Sequence, residues 1–368
     1  MKTIVISAIN IKNGGPLTIL NSCLSYLNNN LALKYRIIAI VYEKRLLDQF
    51  EHIEFIELNK TTKLYLHKLY YEYYYLNKIS IEFKPHLWLS LNDVTPNVKS
   101  DLRAVYCHTS FPFYYKRSFK EILLNPKFYI ITLLYKFLYR INIKKNNFVI
   151  VQQNWLREGF SSMFKIDKNK IIVSPPSTSV RHQNFNITAN NKDEHVFFYP
   201  AFPRVFKNFE IIGEGAKILI SKGVVNFKIY LTIGNSENCY SKYILYKYKN
   251  IKNLSFIGLQ SRQKVYEYYS LSNYLIFPSK LEAWGLPISE MKEFKKPIIA
   301  ADLPYAHEAV GDYDKVIFFN PLNPDDLSNA MIKAINGKFD SNVLKPANMP
   351  FARNWDGLFN ILLNKGKS

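Results

Sequence analysis

Phe277-Pro-Ser-Lys-Leu-Glu-Ala-Trp-Gly-Leu-Pro-Ile-Ser-Glu290 is the stretch on which the reading of this chain turns. The apolar run Tyr274-Leu-Ile-Phe277 reads as a buried strand that stops at Pro278. A polar loop follows, then Gly285-Leu-Pro287 and a helical pattern from Ile288 to Phe294. Pro287 suits a first helical turn, where its missing N–H would have had no partner. A helix starting there aims unpaired N–H groups and a positive dipole end at the mouth of the sheet, a place for a phosphate. Glu282 falls in the loop and Glu290 in the first helical turn, with seven residues between them. One carboxylate can then reach hydroxyls beyond the phosphates while the other reaches a ribose. Two solvated glutamates on an ordinary strand, loop and helix would share that spacing; the Pro-Ser-x2-Glu-Ala-x-Gly-Leu-Pro setting is the specific part.

Outward from this stretch the chain alternates strands and helices. Upstream, Val196 to Pro200 is a strand, and Arg204-Val-Phe-Lys-Asn-Phe209 precedes a helix from Glu210 to Lys222. Two cations three residues apart on such a loop can clamp a diphosphate, Arg204 as a planar fork and Lys207 as a point charge. A solvated basic loop reads from the same residues. Phe227 to Gly234 and Leu254 to Gly258 are strands, with a helix from Val265 to Leu271 after the second. Pro297 to Ala301 and Val316 to Phe319 continue the series, Asn323-Pro-Asp-Asp-Leu327 starts a helix, and Asn354 to Leu362 is an amphipathic helix.

The first half repeats the pattern. Ile4 to Ile9 is a continuous apolar strand of the kind buried on both faces of a parallel sheet. Asn13-Gly-Gly-Pro16 and then Leu17, Leu20, Leu24 and Leu27 at helical spacing make strand, glycine turn and helix, an anion-binding arrangement when it is more than a turn. Arg36 to Tyr42, His52 to Leu58, Pro85 to Leu91, Ala104 to Thr109, Phe148 to Gln152 and Ile171 to Pro176 read as further strands; Tyr65 to Lys78 reads as a helix, and Asn154 as the cap of another. The strand from Ala104 delivers His108 to the carboxyl edge of an open sheet, where ligands of such folds bind; a structural histidine there is the alternative.

The opening stretch resembles the donor-binding signature of retaining GT-B glycosyltransferases of family 4, in the form found in bacterial surface-polysaccharide synthesis. The resemblance covers most of the chain in order, most densely from Val196 to Leu327. It implies that Glu282 contacts the transferred sugar and Glu290 the nucleotide ribose. Lys207, Asn208 and Arg204 would grip the donor phosphates, although Arg204 stands one or two residues closer than in many relatives. Gly14 and Gly15 match a glycine loop that approaches the diphosphate, Gly258 a strand end near the base, and His108 a histidine near the sugar. Gly285, Leu286 and Pro287 open the donor-facing helix. Asn92-Asp93 departs from the His-Asp of many relatives, so no chemistry is assigned there.

Composition bounds these expectations. With 368 residues, 48% hydrophobic and 21% charged, the chain has material for two cores and little reason to be disordered. Its net charge of +20 fits an anionic partner, and also a base-composition bias expressed as Lys, Asn, Ile and Tyr. Cys23, Cys107 and Cys239 lack metal or disulfide spacing and fit a reducing cytosol. The apolar run after Met1 is too short for a signal peptide, and no window reads as a membrane span. From Lys127 to Lys145, Thr132, Lys136, Arg140 and Lys144 recur every four residues, and Leu134, Phe137, Leu138 and Ile141 form the opposite face. Such a helix packs on a sheet or lies in a membrane interface.

The expected fold is therefore α/β and GT-B: two Rossmann-like domains facing across a cleft, with the C-terminal helix crossing back to the first. Residues 1–178 form the acceptor domain, 179–194 a linker, 195–350 the donor domain and 351–368 the returning helix. The expected activity is metal-independent, retaining, hexosyltransferase-like transfer from a nucleotide-sugar to a glycan or lipid-linked glycan, in lipopolysaccharide or capsule assembly. No metal, cofactor or nucleic-acid partner is expected, and the location is cytoplasmic, with an anionic membrane surface as a further partner. A sugar-nucleotide epimerase of the same fold, a non-catalytic nucleotide- or nucleic-acid-binding protein and an inactive scaffold are the alternatives.

Overall fold

The computed structural model describes residues 1–58, 65–114, 119–176, 194–235, 237–340, 342 and 348–364; all but the last residue of the expected linker, 179–194, lies outside them. The chain packs as two compact units. One comprises Met1–Phe113, Thr132–Ser177 and Ala347–Ser368, the other Tyr114–Ile131 and Thr178–Pro346. The segment 114–131, expected in the first domain, thus belongs to the second unit, for a physical reason. The rings of Tyr114 and Phe128 pack against Phe206 at 6.3 and 5.0 Å, and Lys280 donates to Glu121 at 2.8 Å.

In the first unit the strands are β1 (Lys2–Ala8), β2 (Tyr35–Val41), β3 (Ile53–Glu57), β4 (Leu87–Ser90), β5 (Leu102–Tyr106), β6 (Phe148–Val151) and β7 (Ile171–Val173). They form one parallel sheet in the order β3-β2-β1-β4-β5-β6-β7. Every residue of β1 after Lys2 is buried, as a strand covered on both faces requires. The helices are α1 (Gly14–Tyr26), α2 (Tyr65–Tyr70), α3 (Leu76–Phe83), α5 (Pro126–Arg140) from Thr132 onward and α6 (Asn154–Phe164), while α4 (Phe119–Leu124) and the start of α5 belong to the second unit. Leu20, Leu24 and Leu27 are buried against the sheet, as their spacing predicts. Asn154 is the first residue of α6 rather than its cap; Gln153 precedes it and no side chain caps the helix.

Helix α5 departs from the expected stripe. It ends at Arg140, so Lys144 lies beyond it, and Thr132 is buried rather than part of a solvent face. The inward face is aromatic instead: Tyr139 packs on Phe160 and Phe164 at 5.1 and 5.9 Å, and Tyr135 on Phe111 at 5.7 Å.

The second unit has β8 (His195–Tyr199), β9 (Phe227–Leu231), β10 (Leu254–Phe256), β11 (Tyr274–Phe277), β12 (Ile298–Ala301) and β13 (Val316–Phe319), again all parallel, in the order β10-β9-β8-β11-β12-β13. Its helices are α7 (Phe209–Ser221), α8 (Cys239–Tyr248), α9 (Arg262–Leu271), α10 (Leu286–Glu293), α11 (Pro304–Val310) and α12 (Pro324–Ile335). Both sheets reverse their winding beside the first strand, between β1 and β4 and between β8 and β11. Ligands of doubly wound sheets bind beyond the carboxyl ends at that switch point.

The last helix, α13 (Trp355–Asn364), closes the first unit. Phe359 stacks on Tyr26 at 5.6 Å, Tyr26 donates to Asp356 at 2.8 Å and Trp355 donates to Ser22 at 2.9 Å. Upstream, Ala352 donates to the carbonyl of Val173 at 2.9 Å, so the returning chain extends the β7 edge. Phe359 is 1% exposed. Phe359→Ala is expected to lower the unfolding free energy of this unit by about 3–5 kcal/mol through lost burial and the cavity left behind. Denaturant titration monitored at Trp355 reads the shift.

Candidate functional site

At the β8/β11 switch point two loops are laced together. The loop after β8 carries Arg204 and a single 3-10 turn, Val205–Lys207, and ends at Asn208 in the left-handed conformation with φ of 58°. Asn208 is buried, and its amide donates to the carbonyls of Pro278 and Pro321 at 3.2 and 2.8 Å. Its side chain is thus committed to holding neighbouring loops. The N–H of Lys280 donates to the Phe206 carbonyl at 2.7 Å. Tyr199 donates to the Lys207 carbonyl at 2.9 Å, which leaves the Ser279 hydroxyl, also at 2.9 Å, to donate to the phenol. Burial, and then the Glu282 carboxylate, push the Tyr199 and Tyr305 phenols well above their ordinary pKa, so both stay protonated donors.

This lacing presents one charged pair. The Lys207 ammonium donates to Glu282 in a short ion pair whose side chains are only 16% and 15% exposed. The Phe206 and Phe277 rings flank the ammonium at 5.5 and 5.8 Å. Arg204 stands at the loop's exposed end, its guanidinium 5.6 Å from the Phe202 ring.

Helix α10 begins at Leu286, behind Gly285 with φ of 93° and with Pro287 in the first turn, as the sequence predicts. It starts earlier than the apolar pattern, so Glu290 is its fifth residue and stands in the second turn. Glu290 is 2% exposed. Tyr269 donates to its Oε2 at 2.8 Å, and an Arg262 Nη2 lies 2.6 Å from Oε1. That ion pair lacks hydrogen-bond geometry, so Oε1 accepts no hydrogen bond. Arg262 is steadied by Tyr266, to whose hydroxyl it donates at 2.9 Å. Neither Arg262 nor Tyr269 emerged from the sequence. Their signal was available: Arg262, Tyr266 and Tyr269 share one face of α9 directly after the Gly258 turn. Gly258 has φ of 71°, and a side chain added there would meet nothing within 4 Å, so the space beside it is open.

In the first unit, Gly14 with φ of 70° opens α1 beyond β1, and Gly15 follows it. His108 lies two residues beyond β5. Its backbone N–H donates to Asp93 Oδ1 at 2.5 Å; the same oxygen accepts from the Thr109 N–H at 3.1 Å and the Tyr139 hydroxyl at 2.8 Å. A carbonyl can only accept, so the 2.9 Å contact from Nε2 to the Leu91 oxygen fixes the proton on Nε2. Nδ1 then carries a buried lone pair without a partner. Burial lowers the pKa of His108 below its ordinary value, which keeps that lone pair free at neutral pH. Asn92-Asp93, to which the sequence gave no chemistry, is a structural hub, with Asp93 at φ of 68°.

Beside it, the buried Glu72 accepts from Asn10 and Asn92 at 3.2 and 3.0 Å, tying the β1 and β4 ends together. Burial raises its pKa to about 8. Among the described residues no cluster of His, Cys, Asp and Glu has the makings of a metal site.

The chain resembles known proteins in sequence and in fold. Residues 180–348 match the family model of glycosyl transferases group 1. The O-antigen chain mannosyltransferase RfbU of Salmonella typhimurium is 21% identical over 258 residues, 70% of this chain and 66% of the relative, just short of two thirds of its length. WaaG, a glycosyltransferase involved in lipopolysaccharide biosynthesis, superimposes with a TM-score of 0.66 at 12% identity over 90% of both chains. Anabaena Alr3699/HepE, solved with UDP-glucose, gives 0.61 at 13% identity over 92% of this chain and 90% of its own. The fold is the GT-B fold of these neighbours, built from two Rossmann-like α/β units.

The Glu72 carboxyl gives a test of the first-unit cluster. Its folded pKa lies above the unfolded value, so its stabilising contribution is complete below about pH 4.5 and is lost as pH rises through about 8. Glu72→Gln keeps the two amide contacts and does not titrate. Its unfolding free energy is expected to gain on the parent's between pH 5 and pH 8, on the order of a few kcal/mol, and then run parallel. Parallel curves throughout that range would contradict the assignment.

Proposed function

We propose that this protein is a retaining glycosyltransferase that moves a hexose from a nucleotide-sugar to a lipid-linked glycan during lipopolysaccharide assembly. The observation that carries the proposal is the Lys207–Glu282 pair at the β8/β11 switch point, with the Glu290 carboxylate set behind it on α10. Lys207 has three N–H donors, and Glu282 takes one of them, so a donor diphosphate can take the others. Arg204 adds a second cation at the loop's exposed end. Glu290 receives the ribose, the open space beside Gly258 the base, and Glu282 with the N–H groups around Leu286 the sugar.

The chemistry follows from where charge develops. As the bond from the anomeric carbon to the phosphate oxygen breaks, its electron pair goes to the diphosphate. Fixed cations and the α10 N-terminus stabilise that growing charge more than they stabilise the bound donor. The acceptor oxygen then bonds to the same face of the sugar, and its proton passes to the departing diphosphate. Lys207 and Arg204 take the part of a metal ion. The O-antigen role of RfbU and the lipopolysaccharide role of WaaG support the acceptor class, and UDP-glucose in HepE supports the donor class. No helix among the described residues is long and apolar enough to cross a membrane.

A thermal-shift panel of UDP-, GDP-, dTDP- and CDP-sugars is expected to single out one donor, and incubation with that donor alone should give no epimer. Lys207→Ala removes a charge-assisted phosphate contact of roughly 1.5–3 kcal/mol and is expected to weaken donor binding about ten- to a hundredfold. Donor titration that finds the parental affinity in a folded Lys207→Ala protein would falsify the clamp.

The two glutamates should separate. Glu290→Ala is expected to weaken free nucleoside diphosphate. Glu282→Gln removes a carboxylate that partly neutralises Lys207, so free nucleoside diphosphate should bind at least as tightly while turnover falls. Calorimetric titrations showing equal losses in both variants would refute the division of roles. Turnover should also persist in EDTA; a loss reversed by Mg²⁺ or Mn²⁺ would overturn the metal-free scheme.

A further inference from the structure

Beyond the carboxyl ends of β9 and β10, one carboxylate oxygen is left without a donor. Glu237, on the loop from β9 to α8, accepts the Gly234 N–H on Oε1 at 2.8 Å, while its buried Oε2 accepts nothing. The loop itself is fixed. Asn238 caps α8 in a capping box with Ser241, and its amide donates to the Pro203 carbonyl at 2.8 Å. A side chain added at Gly234 would stand 2.8 Å from Oε1 and 3.4 Å from the Gly258 Cα, so the Glu237 carboxyl lies against the Gly258 turn. Folded proteins keep few buried acceptors without a partner, because each forfeits its hydration.

The surroundings say what kind of group would meet it. The open space beside Gly258 is the place proposed for the donor's base. Leu259, next in the chain, is 52% exposed, and Phe202, on the loop that Asn238 ties to Glu237, is 44% exposed. Apolar surface at that edge suits the face of an aromatic ring. The Ile257 and Gly258 carbonyls already accept from the Gln260 amide, whereas Glu237 Oε2 has no donor. The nucleobases differ in the edge they offer a carboxylate. Guanine presents two adjacent donors, N1–H and the 2-amino group, spaced to meet both oxygens at once. Uracil and thymine flank their N3–H with two carbonyls, and cytosine and adenine set the amino group beside a ring-nitrogen acceptor. Each of these turns a lone pair toward a carboxylate oxygen. A carboxylate accepts at about four sites, so Oε1 can keep Gly234 and take a base donor as well. The terminal torsion of a glutamate is soft and Glu237 is only partly buried as a residue, so both oxygens can turn to a base edge.

We infer that Glu237 determines base specificity and selects a guanine nucleotide, its carboxylate accepting from N1–H and the 2-amino group. The inference rests on the proposed donor site in this unit and names the base that the site takes.

Calorimetric titration with GDP, UDP, CDP, ADP and inosine diphosphate tests it. Inosine diphosphate keeps the N1–H of guanine and lacks the 2-amino group. The parent is expected to bind GDP about tenfold or more tighter than each of the others, because a site built to pair with a donor rejects the analogue without it. Glu237→Gln keeps an acceptor for the Gly234 N–H but turns an N–H toward the base. It is expected to weaken GDP about ten- to a hundredfold, to change UDP less than about threefold, and to bring GDP and inosine diphosphate close together. A pyrimidine diphosphate that binds the parent as tightly as GDP, inosine diphosphate that equals GDP, or parental preference in Glu237→Gln would each overturn the inference. The inosine comparison needs no variant, so it decides even if Glu237→Gln folds poorly. The same titrations on Lys207→Ala keep the two proposals apart. Base-indifferent binding that Lys207→Ala weakens removes guanine selection and leaves the donor site. A preference for GDP at undiminished affinity in Lys207→Ala removes the phosphate clamp and leaves guanine selection. A parent that binds no diphosphate removes both.

Discussion

A half-buried ammonium and a half-buried carboxylate can share a site only where their geometry is fixed, because each gives up hydration that loose contact does not return. Lys207 and Glu282 meet that constraint, and much of the second unit's loop structure follows from it. They sit on loops from different strands, β8 and β11, which the strand order makes neighbours. Asn208 in its left-handed conformation, Tyr199 beneath the Lys207 carbonyl and the Lys280 N–H on Phe206 leave those loops little freedom. Tyr305 adds a donor to the Ser279 carbonyl at 2.7 Å. The rigidity suits electrostatic catalysis, in which the charged groups must already stand where charge will develop.

The first unit uses the same device with a different centre. Asp93 takes three donors on one oxygen, and so locks the chain after β4 to the chain after β5 and to α5. His108 is oriented by this arrangement from its own backbone, and its ring is fixed from Nε2 by the Leu91 carbonyl. The buried Glu72 plays a comparable part between β1 and β4, through two amides. In each unit the order of the parallel strands therefore sets which loops meet, and a buried carboxylate fixes how they meet.

What could be read from the sequence divides along the range of the interactions. The strands were legible because doubly covered parallel strands are continuous apolar runs, as in Ile4 to Ile9 and Tyr274 to Phe277. Gly285, Leu286 and Pro287 were legible because a local backbone need, positive φ followed by a helix start, selects the residue types. The single-residue features that depend on distant partners were not. Nothing near Asp93 announces Tyr139, and the shared face of Arg262, Tyr266 and Tyr269 on α9 does not by itself name Glu290 as their partner. Asn208 reads as a phosphate contact, although its amide is occupied by Pro278 and Pro321. The placing of 114–131 with the second unit turns on Phe206, far along the chain. Helix α5 was misread for a related reason: it offers one aliphatic and one aromatic face, and only the Asp93 carboxylate and the Phe160 ring decide that the aromatic one turns inward.

The Glu290 environment adds a last physical step to the proposed donor site. A carboxylate this buried is tolerable while Arg262 and Tyr269 face it, and they compensate it unequally. Oε2 has a true hydrogen bond, whereas Oε1 has a nearby charge and no aligned donor. A ribose hydroxyl is a directional donor, so in the proposed site it would supply what Oε1 lacks without displacing Tyr269. Arg262 is the exposed member of the group and keeps a partner in Tyr266, so it can yield position without being stranded. On the proposed assignment of the ribose to Glu290, nucleotide entry would exchange an unaligned ion pair for an aligned hydrogen bond at a carboxylate already desolvated by the fold, so that the larger part of the cost of burying that charge is met before the donor arrives.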